Sequence, residues 1–281
     1  MGELHVCLST LLTDPMAATA DDVLAAIDTA ADAGFDGVSV WTLHHLVARG
    51  DGDLVFDRIR SRDLQSPVVE AMAGWANASD DAAVRADATF AVGVGQALGA
   101  THSVAVCLEP ELADAATTAR NLSLCAAIAA DAGMAIAVEF LPWTGIPTLR
   151  SCVELIERTG AENVGVLLDT WHWVRQPGGP DLATLRSMDG AMIPLLQVCD
   201  TGEPMEDQYL EATTARRLPG DGGVDFDELF VALHGIGADP IVSPEVFDLA
   251  ALSASPDGWP RSVEAACRAL EERRIALGQE A

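Results

Sequence analysis

The feature that most constrains this chain is a repeat of roughly 30 residues, in which a short run rich in β-branched residues precedes a longer stretch rich in Ala and Leu. Short apolar runs are typical of buried parallel strands, and longer amphipathic stretches are typical of the helices that connect them. Eight strands are predicted, of which the third is the weakest because its segment 70–73 could equally be helical. They are His5–Ser9, Gly37–Trp41, Val68–Gly74, Ser103–Cys107, Ala135–Phe140, Val164–Asp169, Leu195–Cys199 and Ile241–Val246.

The predicted helices begin at polar or acidic residues and end at glycines, which is the expected capping chemistry. They are Thr19–Ala33, Asp81–Leu98, Glu111–Ala132, Thr148–Arg158 and Phe226–Leu233, followed by Ser262–Leu277, which would cover the bottom of the fold or a partner. Such alternation can build an open doubly wound sheet or a closed barrel. No Gly-x-Gly-x-x-Gly motif follows the first strand, which disfavours a dinucleotide-binding sheet. We therefore predict an α/β fold, a single (β/α)8 TIM barrel over residues 1–281.

Composition and charge exclude several functions. With 43 acidic and 16 basic residues, the formal net charge is −27, which repels nucleic acids and anionic membranes. No secretory signal or apolar stretch of about 20 residues is present, so a soluble, cytoplasmic protein is expected. The six cysteines are scattered without a Cys-x-x-Cys pair, which favours buried free thiols. The expected partner is a small-molecule substrate, and a homodimer is expected although no sequence feature requires it.

Polar residues interrupt four successive predicted strands at or just before their C-terminal ends: Glu139, Asp169, Gln197 and Glu245. Function collects at that end of a parallel barrel. Three carboxylates in one poorly solvated mouth would repel one another, and a divalent cation would relieve that repulsion. The all-oxygen set favours Mn²⁺ or Mg²⁺, with Co²⁺ or Zn²⁺ as substitutes in vitro. Separate ion pairs with arginine are the alternative, disfavoured because few basic residues lie near these strand ends.

Other residues near the predicted strand ends are candidate substrate contacts. His172 follows Asp169 by three residues and should face the same mouth. Arg216, in the loop after the seventh strand, could grip a substrate hydroxyl, carbonyl or carboxylate. Trp143 could form part of the apolar wall of a sugar-sized pocket, with core packing as the alternative. His44 follows the second strand, where substrate contact and a structural role are equally open.

Five motifs, taken in order, resemble those of the sugar phosphate isomerase/epimerase family, the xylose-isomerase-like barrels. They are Val138-Glu139-Phe140, Leu168-Asp169-Thr170-Trp171-His172, Gln197-Val198-Cys199-Asp200, the loop 216–226 and Pro244-Glu245-Val246-Phe247. The resemblance implies that Glu139, Asp169, Gln197 and Glu245 bind one metal ion. It also implies that Glu139 and Glu245 move protons on opposite faces of the substrate through an enediolate. By the same resemblance, His172 and Arg216 hold substrate oxygens.

The chain departs from this pattern at Gln197, because many of these epimerases carry histidine there. Glutamine is also familiar there, in hydroxypyruvate-isomerase-like and 3-dehydroshikimate-dehydratase-like members. In those dehydratases the residue matching His172 is a candidate proton shuttle. We therefore expect a metal-dependent isomerase or epimerase of a sugar, keto-sugar or related hydroxy-carbonyl compound. A lyase that dehydrates a β-hydroxy ketone is the alternative. A non-catalytic binding barrel is a third reading, disfavoured because Glu139 and Glu245 are both present.

Overall fold

Eight parallel strands form one sheet whose spatial order is the order of the sequence. The computed structural model describes residues 2–49 and 53–280. A parallel bridge between Leu4 and Val242 brings the eighth strand beside the first, which nearly closes the sheet into a barrel. The strands are β1 His5–Cys7, β2 Gly37–Trp41, β3 Val68–Met72, β4 His102–Val106, β5 Ala135–Glu139, β6 Val164–Asp169, β7 Leu195–Val198 and β8 Ile241–Pro244. The predicted (β/α)8 TIM barrel is confirmed.

All eight predicted strands are present, and most end one or two residues earlier than expected. The third strand, which the sequence left open between strand and helix, is a strand from Val68 to Met72. Its flanking strands pair with it on both sides. Burial inside a parallel sheet therefore overrides the helical preference of its Glu, Ala and Met residues.

Helices cover the outside of the sheet. The long ones match the prediction, and α5 begins later than expected because the Asp114 side chain accepts the N–H of Thr117 and so sets the helix start. In the part of the chain that the structure describes, six short helices in the loops were not predicted, because a few residues carry no readable periodicity. The helices are α1 Ala20–Ala33, α2 Thr42–Ala48, α3 Leu54–Ser61, α4 Asp81–Leu98, α5 Ala115–Asp131, α6 Leu149–Thr159, α7 Thr170–Arg175, α8 Leu182–Leu185, α9 Gln208–Thr214, α10 Phe226–Gly235, α11 Leu249–Ala254 and α12 Trp259–Glu280.

Helix α12 closes the end of the barrel where the strands begin. The Arg268 guanidinium on this helix donates to the backbone oxygens of Gly2 and Gly34 and to the Asp36 carboxylate, all just before β1 or β2. The last predicted helix thus covers the bottom and leaves the C-terminal ends of the strands open. All six cysteines are buried free thiols, as predicted. Within residues 2–49 and 53–280, no helix has the length and apolarity needed to cross a membrane.

An apolar floor lies inside the barrel, below the open end. Five buried residues from neighbouring strands pack together apart from the main core: Val68, Val104, Ala137, Leu167 and Leu195. Successive side chains of a strand point to opposite faces, so residues two positions farther along point into the same interior. Those positions are occupied by polar side chains on four of the five strands. The interior of the barrel therefore changes from apolar to polar over two residues of each of these strands.

We predict that Gly37→Ala lowers the free energy of unfolding by about 1–3 kcal/mol, as overpacking of a closed core does. A Cβ atom at position 37 would lie 2.4 Å from the backbone oxygen of Gln65 and 2.5 Å from Nδ1 of His5. Gly93→Ala is the matched control, because nothing lies within 4 Å of its added Cβ and the residue is in the exposed face of α4. The control should gain about 0.5–1 kcal/mol by urea unfolding. Equal effects of both changes would contradict the packing argument.

Candidate active site

The polar layer above the floor contains one acid that the sequence analysis missed. Glu70 lies two residues beyond the floor residue Val68, just as Glu139, Asp169 and Gln197 lie two residues beyond Ala137, Leu167 and Leu195. Glu70 is only 5% exposed. The signal that could have found it was the same one used for the other strands, namely a charged residue interrupting an apolar run. The helical appearance of segment 70–73 hid it.

The structure brings the predicted ligands into one mouth but divides their carboxylates into two groups. Glu139, Asp169 and His172 form the first, with one donor atom from each within 4.8 Å of the others. Glu245 belongs to the second, with Glu70 and Cys7 and by the same distance criterion. All six residues are buried. The first group comes from the ends of β5 and β6 and from helix α7, and the second comes from β1, β3 and the residue just beyond β8.

The Arg216 guanidinium joins the two groups. Its Nη1 donates to Asp169 Oδ2 at 2.7 Å and to Glu245 Oε2 at 3.0 Å, while its Nε donates to the backbone oxygen of Ala212 at 2.6 Å. The side chain is 2% exposed. The sequence analysis disfavoured separate ion pairs between each acid and a basic residue, and the structure instead shows one arginine shared by Asp169 and Glu245. The loop after β7 folds back far enough to bring Arg216 into the mouth, which strand patterns alone do not reveal.

Gln197 connects to the second group through its amide nitrogen. Nε2 donates to Glu245 Oε1 at 3.1 Å and makes a longer contact of 3.5 Å with Glu70 Oε2. Its Oε1 is buried and has no hydrogen-bond partner among the described residues. Two carboxylates repel the amide oxygen and attract the amide nitrogen, so together they fix which end of the amide is left unpaired. A buried carbonyl oxygen without a partner costs free energy that a bound cation or substrate donor would recover.

His172 faces the Glu139 carboxylate, as the sequence predicted for a residue beside the mouth. Its Nε2 lies 3.2 Å from Glu139 Oε1. Asp169 holds this histidine in place, because Asp169 Oδ1 accepts the backbone N–H groups of Trp171 at 2.7 Å and His172 at 3.0 Å. Asp169 is therefore the N-cap of α7 as well as an acid of the site.

The buried acids differ in how readily they hold a proton. Burial, reinforced by the charge of Glu139 and opposed by a hydrogen bond from Ser39, raises the pKa of Glu70 to about 7. Burial also raises the pKa of Glu245, with Arg216 opposing the rise and Glu70 adding to it. For Asp169 burial works in the same sense, but Arg216 and His172 outweigh it and the pKa is lowered. Asp169 is thus an ionised anchor, whereas Glu70 and Glu245 favour taking up a proton.

The loop that carries Arg216 is anchored by Asp200. The Asp200 carboxylate accepts the backbone N–H groups of Gly220 at 2.9 Å and Val224 at 2.9 Å. The backbones of Asp200 and Arg217 form an antiparallel bridge. A Cβ at Gly222 would lie 2.4 Å from Asp200 Oδ1, so the loop passes too close for a larger residue. The segment after β7 is thereby held rigidly enough to fix the buried guanidinium.

The two remaining candidate contacts lie on different sides of the mouth. Trp143 is half-buried, and its ring meets the rings of His172 at 5.4 Å and Tyr209 at 5.8 Å. His44 is fully buried, with its ring stacked on Trp41 at 5.5 Å, and neither ring nitrogen has a hydrogen-bond partner within residues 2–49 and 53–280. Trp143 is therefore next to a site residue and still partly open. Substrate contact by Trp143, His44 and Arg216 stays a prediction.

The donors suit a divalent cation. Four buried carboxylates (Glu70, Glu139, Asp169 and Glu245) meet one buried guanidinium, so negative charge remains in excess when all four are ionised. Oxygen donors dominate, and the unpaired Oε1 of Gln197 adds a neutral one. His172 and Cys7 contribute softer donors, which widens the range of ions that the site could accept. Arg216 competes with such an ion for Asp169 and Glu245.

Comparison with known families agrees with this architecture. Residues 27–272 match the family described as "Xylose isomerase-like TIM barrel". The chain belongs to this family. The match runs from within α1 to within α12 and so includes seven of the eight strands and every acid of the mouth.

Curated relatives of this family member match over part of its length. The inosose isomerase of Bacillus subtilis (strain 168) is 32% identical over 124 residues, which is 43% of this chain and 42% of that protein. The inosose isomerase of Halalkalibacterium halodurans is 26% identical over 152 residues, 53% of this chain and 50% of that protein. The chain thus spans about half or less of the length of the curated relatives that it matches.

Solved structures share the whole fold. The IOLI protein with a bound zinc atom superposes with a TM-score of 0.81 at 20% identity, covering 97% of this chain and 99% of that one. A D-allulose 3-epimerase from Methylomonas sp., in complex with D-allulose, has a TM-score of 0.73 at 20% identity, covering 98% and 96%. An L-ribulose 3-epimerase has a TM-score of 0.74 at 18% identity, covering 99% and 97%. At these identities, the likeness establishes the fold.

We predict that Arg216→Met destabilises the protein by about 3 kcal/mol, because it leaves Asp169 and Glu245 without their shared cation. Added Mn²⁺ should then raise the melting temperature of this variant more than that of the parent, since the ion no longer competes with the guanidinium. Thermal melts with and without MnCl₂ measure both effects. Arg217→Met is the control, because Arg217 has a 44% exposed side chain and pairs with Asp248, at 2.7 Å, and not with the buried acids of the mouth among the described residues. An equal Mn²⁺ response in all three proteins would contradict competition.

His44 should make stability fall with acidification. Burial lowers the pKa of His44 from 6.5 to about 4, so the unfolded chain takes up this proton first as the pH falls. The contribution is complete above pH 6.5 and is lost between that value and about 4, a change of about 3 kcal/mol. His44→Phe keeps a ring against Trp41 but removes the titration. Its unfolding free energy should therefore drop less than the parent's between pH 7 and about 4.5 in urea, and parallel curves would contradict this account.

Proposed function

We propose that this protein is a divalent-metal-dependent isomerase or epimerase of a sugar, keto-sugar or related hydroxy-carbonyl compound. The observation that carries the proposal is the arrangement of Glu139 and Glu245 on separate sides of one buried, oxygen-rich mouth. Glu139 lies at the end of β5 against His172, and Glu245 lies beyond β8 against Gln197 and Arg216. Two carboxylates on different strands can reach opposite faces of a planar intermediate, which is what moving a stereocentre or a carbonyl requires.

Each residue has a part in proton transfer under this proposal. Glu139 takes the proton from the carbon next to the substrate carbonyl. The C–H electron pair forms the new C=C bond and the carbonyl π pair moves onto the carbonyl oxygen, which gives an enediolate. Glu245, whose pKa is raised by burial, returns a proton to a carbon of the intermediate. His172, 3.2 Å from Glu139, orients that carboxylate and can hold a substrate oxygen.

Asp169, Gln197, Glu139 and Glu245 would hold the divalent ion, as first inferred from the strand pattern. When bound, such an ion polarises a carbonyl and so acidifies the neighbouring C–H bond. Mn²⁺ or Mg²⁺ suits the carboxylate and amide oxygens, and Co²⁺ or Zn²⁺ suits a set that His172 joins. The names of the curated relatives and of the epimerase structures support an isomerase or epimerase over a lyase.

The test begins with metal content and continues with solvent deuterium exchange. The protein is loaded with Mn²⁺, Mg²⁺, Co²⁺ or Zn²⁺ and incubated in D₂O with ketoses, cyclic keto-polyols and cyclic β-hydroxy ketones. We expect metal-dependent exchange at the carbon next to one carbonyl and its loss by at least a hundredfold in Glu139→Gln, which removes the base. Glu109→Gln is the matched control. Glu109 lies beyond β4, where its carboxylate accepts a hydrogen bond from the Cys107 thiol, and this variant should keep the metal-dependent exchange.

The products separate the alternatives. An isomer or epimer formed without loss of water supports the proposal. An ultraviolet-absorbing conjugated enone would instead identify the dehydratase reading. Metal that binds without any exchange into the panel would support a binding barrel, and a protein that binds no divalent ion would contradict the proposal.

A further inference from the structure

We infer that the substrate of this site is an uncharged polyhydroxy carbonyl compound that carries neither a phosphate nor a carboxylate group. This inference rests on the proposed function and narrows its substrate class. The small number of basic residues in the sequence disfavours a phosphorylated substrate, but one arginine such as Arg216 would be enough to bind a phosphate. The structure provides the positions and partners of the charged groups around the mouth.

The space next to the acids is a cavity of about 310 Å³ at the open end of the barrel. Three of its lining residues border the acidic groups. Ser9 lies two residues beyond Cys7, Trp41 pairs in register with Glu70, and Phe247 lies beneath the Arg216 guanidinium at 5.0 Å. The cavity therefore lies on the Glu70 and Glu245 side of the mouth, although neither acid is among its described lining residues. Its volume suits a molecule the size of a monosaccharide.

Most residues that line this cavity are apolar or uncharged, and its charged residues are acidic. Trp41, Phe247 and Tyr209 provide aromatic faces, which suit the C–H faces of a sugar or cyclitol. The charged residues of the described lining are Asp14 and Asp248. The open depression next to it, around Trp143 and Tyr209, adds Glu206 and Asp207. Among the described residues, neither surface is lined by an arginine, and the chain contains no lysine.

The arginines nearest the mouth are already paired with acids. Arg216 is shared by Asp169 and Glu245, and its Nε is bound to a backbone oxygen. Arg175 donates to Glu211 Oε1 and to the backbone oxygen of Gly202. Arg217 pairs with Asp248. Arg49, exposed after α2, lines neither surface.

A dianionic phosphate entering this mouth would pass surfaces lined by aspartates and a glutamate and by no described arginine. To reach Arg216 it would have to displace a carboxylate that is itself buried. Like-charged groups in a cleft of low polarity repel strongly, and the −27 net charge extends that repulsion outward. A neutral polyol has no such penalty, and its hydroxyl groups can donate to the acids that crowd the site.

The test compares matched pairs of free and phosphorylated compounds with the metal-loaded protein. D-Fructose and D-fructose 6-phosphate form one pair, and D-ribulose and D-ribulose 5-phosphate form another. Binding is measured by calorimetry and deuterium exchange by mass spectrometry, at low and at high ionic strength. We expect the free compound to be preferred by at least about tenfold at low salt, with the preference shrinking as salt screens the repulsion.

Charge-neutral variants then test the cause. Asp14→Asn combined with Glu206→Gln should reduce the preference for the free compound severalfold, because both carboxylates line the entry. Asp131→Asn, an exposed residue at the end of α5 on the bottom of the barrel, is the matched control and should leave the preference unchanged.

The outcomes separate this inference from the proposed function. Equal or better binding and exchange with the phosphate ester would overturn the inference and leave the isomerase proposal intact. Binding of free compounds without any exchange would support the inference and count against the isomerase proposal. A preference that salt and the double variant leave unchanged would overturn the electrostatic argument.

Discussion

The contact of one Arg216 nitrogen with both Asp169 and Glu245 determines how this mouth is arranged. The two acids come from strands that flank β7, one at the end of β6 and the other just beyond β8. Without a cation between them, two buried carboxylates would repel or take up protons. The guanidinium holds them together and splits the remaining donors into a Glu139 side and a Glu70 side. A divalent ion would therefore enter a site that already has a built-in competitor.

The contact of Arg216 with the two acids depends on the loop that follows β7 and not on a strand. Arg216 reaches the mouth because the segment after β7 returns to Asp200, which accepts backbone N–H groups from Gly220 and Val224. The apolar floor of Val68, Ala137, Leu167 and Leu195 then supports the acids from below. The strands thus position the acids of the mouth, and a loop supplies the arginine that balances part of their charge.

Much of this could be predicted from the sequence, because it depends on local periodicity. Strand bounds, the glycine that ends α1 and the burial of Glu139, Asp169 and Gln197 all follow from short patterns that a parallel barrel forces on the chain. Glu70 was missed although it interrupts an apolar run as the other acids do, because Glu, Ala and Met favour a helix and left that segment ambiguous between helix and strand. The partners of Arg216 could not be foreseen either, since they depend on how a long loop folds in three dimensions. Small helices such as α7 were missed for lack of length.

The capping bond of Asp169 has a consequence for how such a barrel could change over generations. One oxygen of this carboxylate starts helix α7, and the other accepts from Arg216. A descendant that no longer catalysed a reaction could replace Glu139, because that change leaves the start of α7 intact. Position 169 would stay under selection for folding alone. An aspartate at position 169 is therefore a weak indicator that a related protein is still an active enzyme, and a glutamate at position 139 is a stronger one.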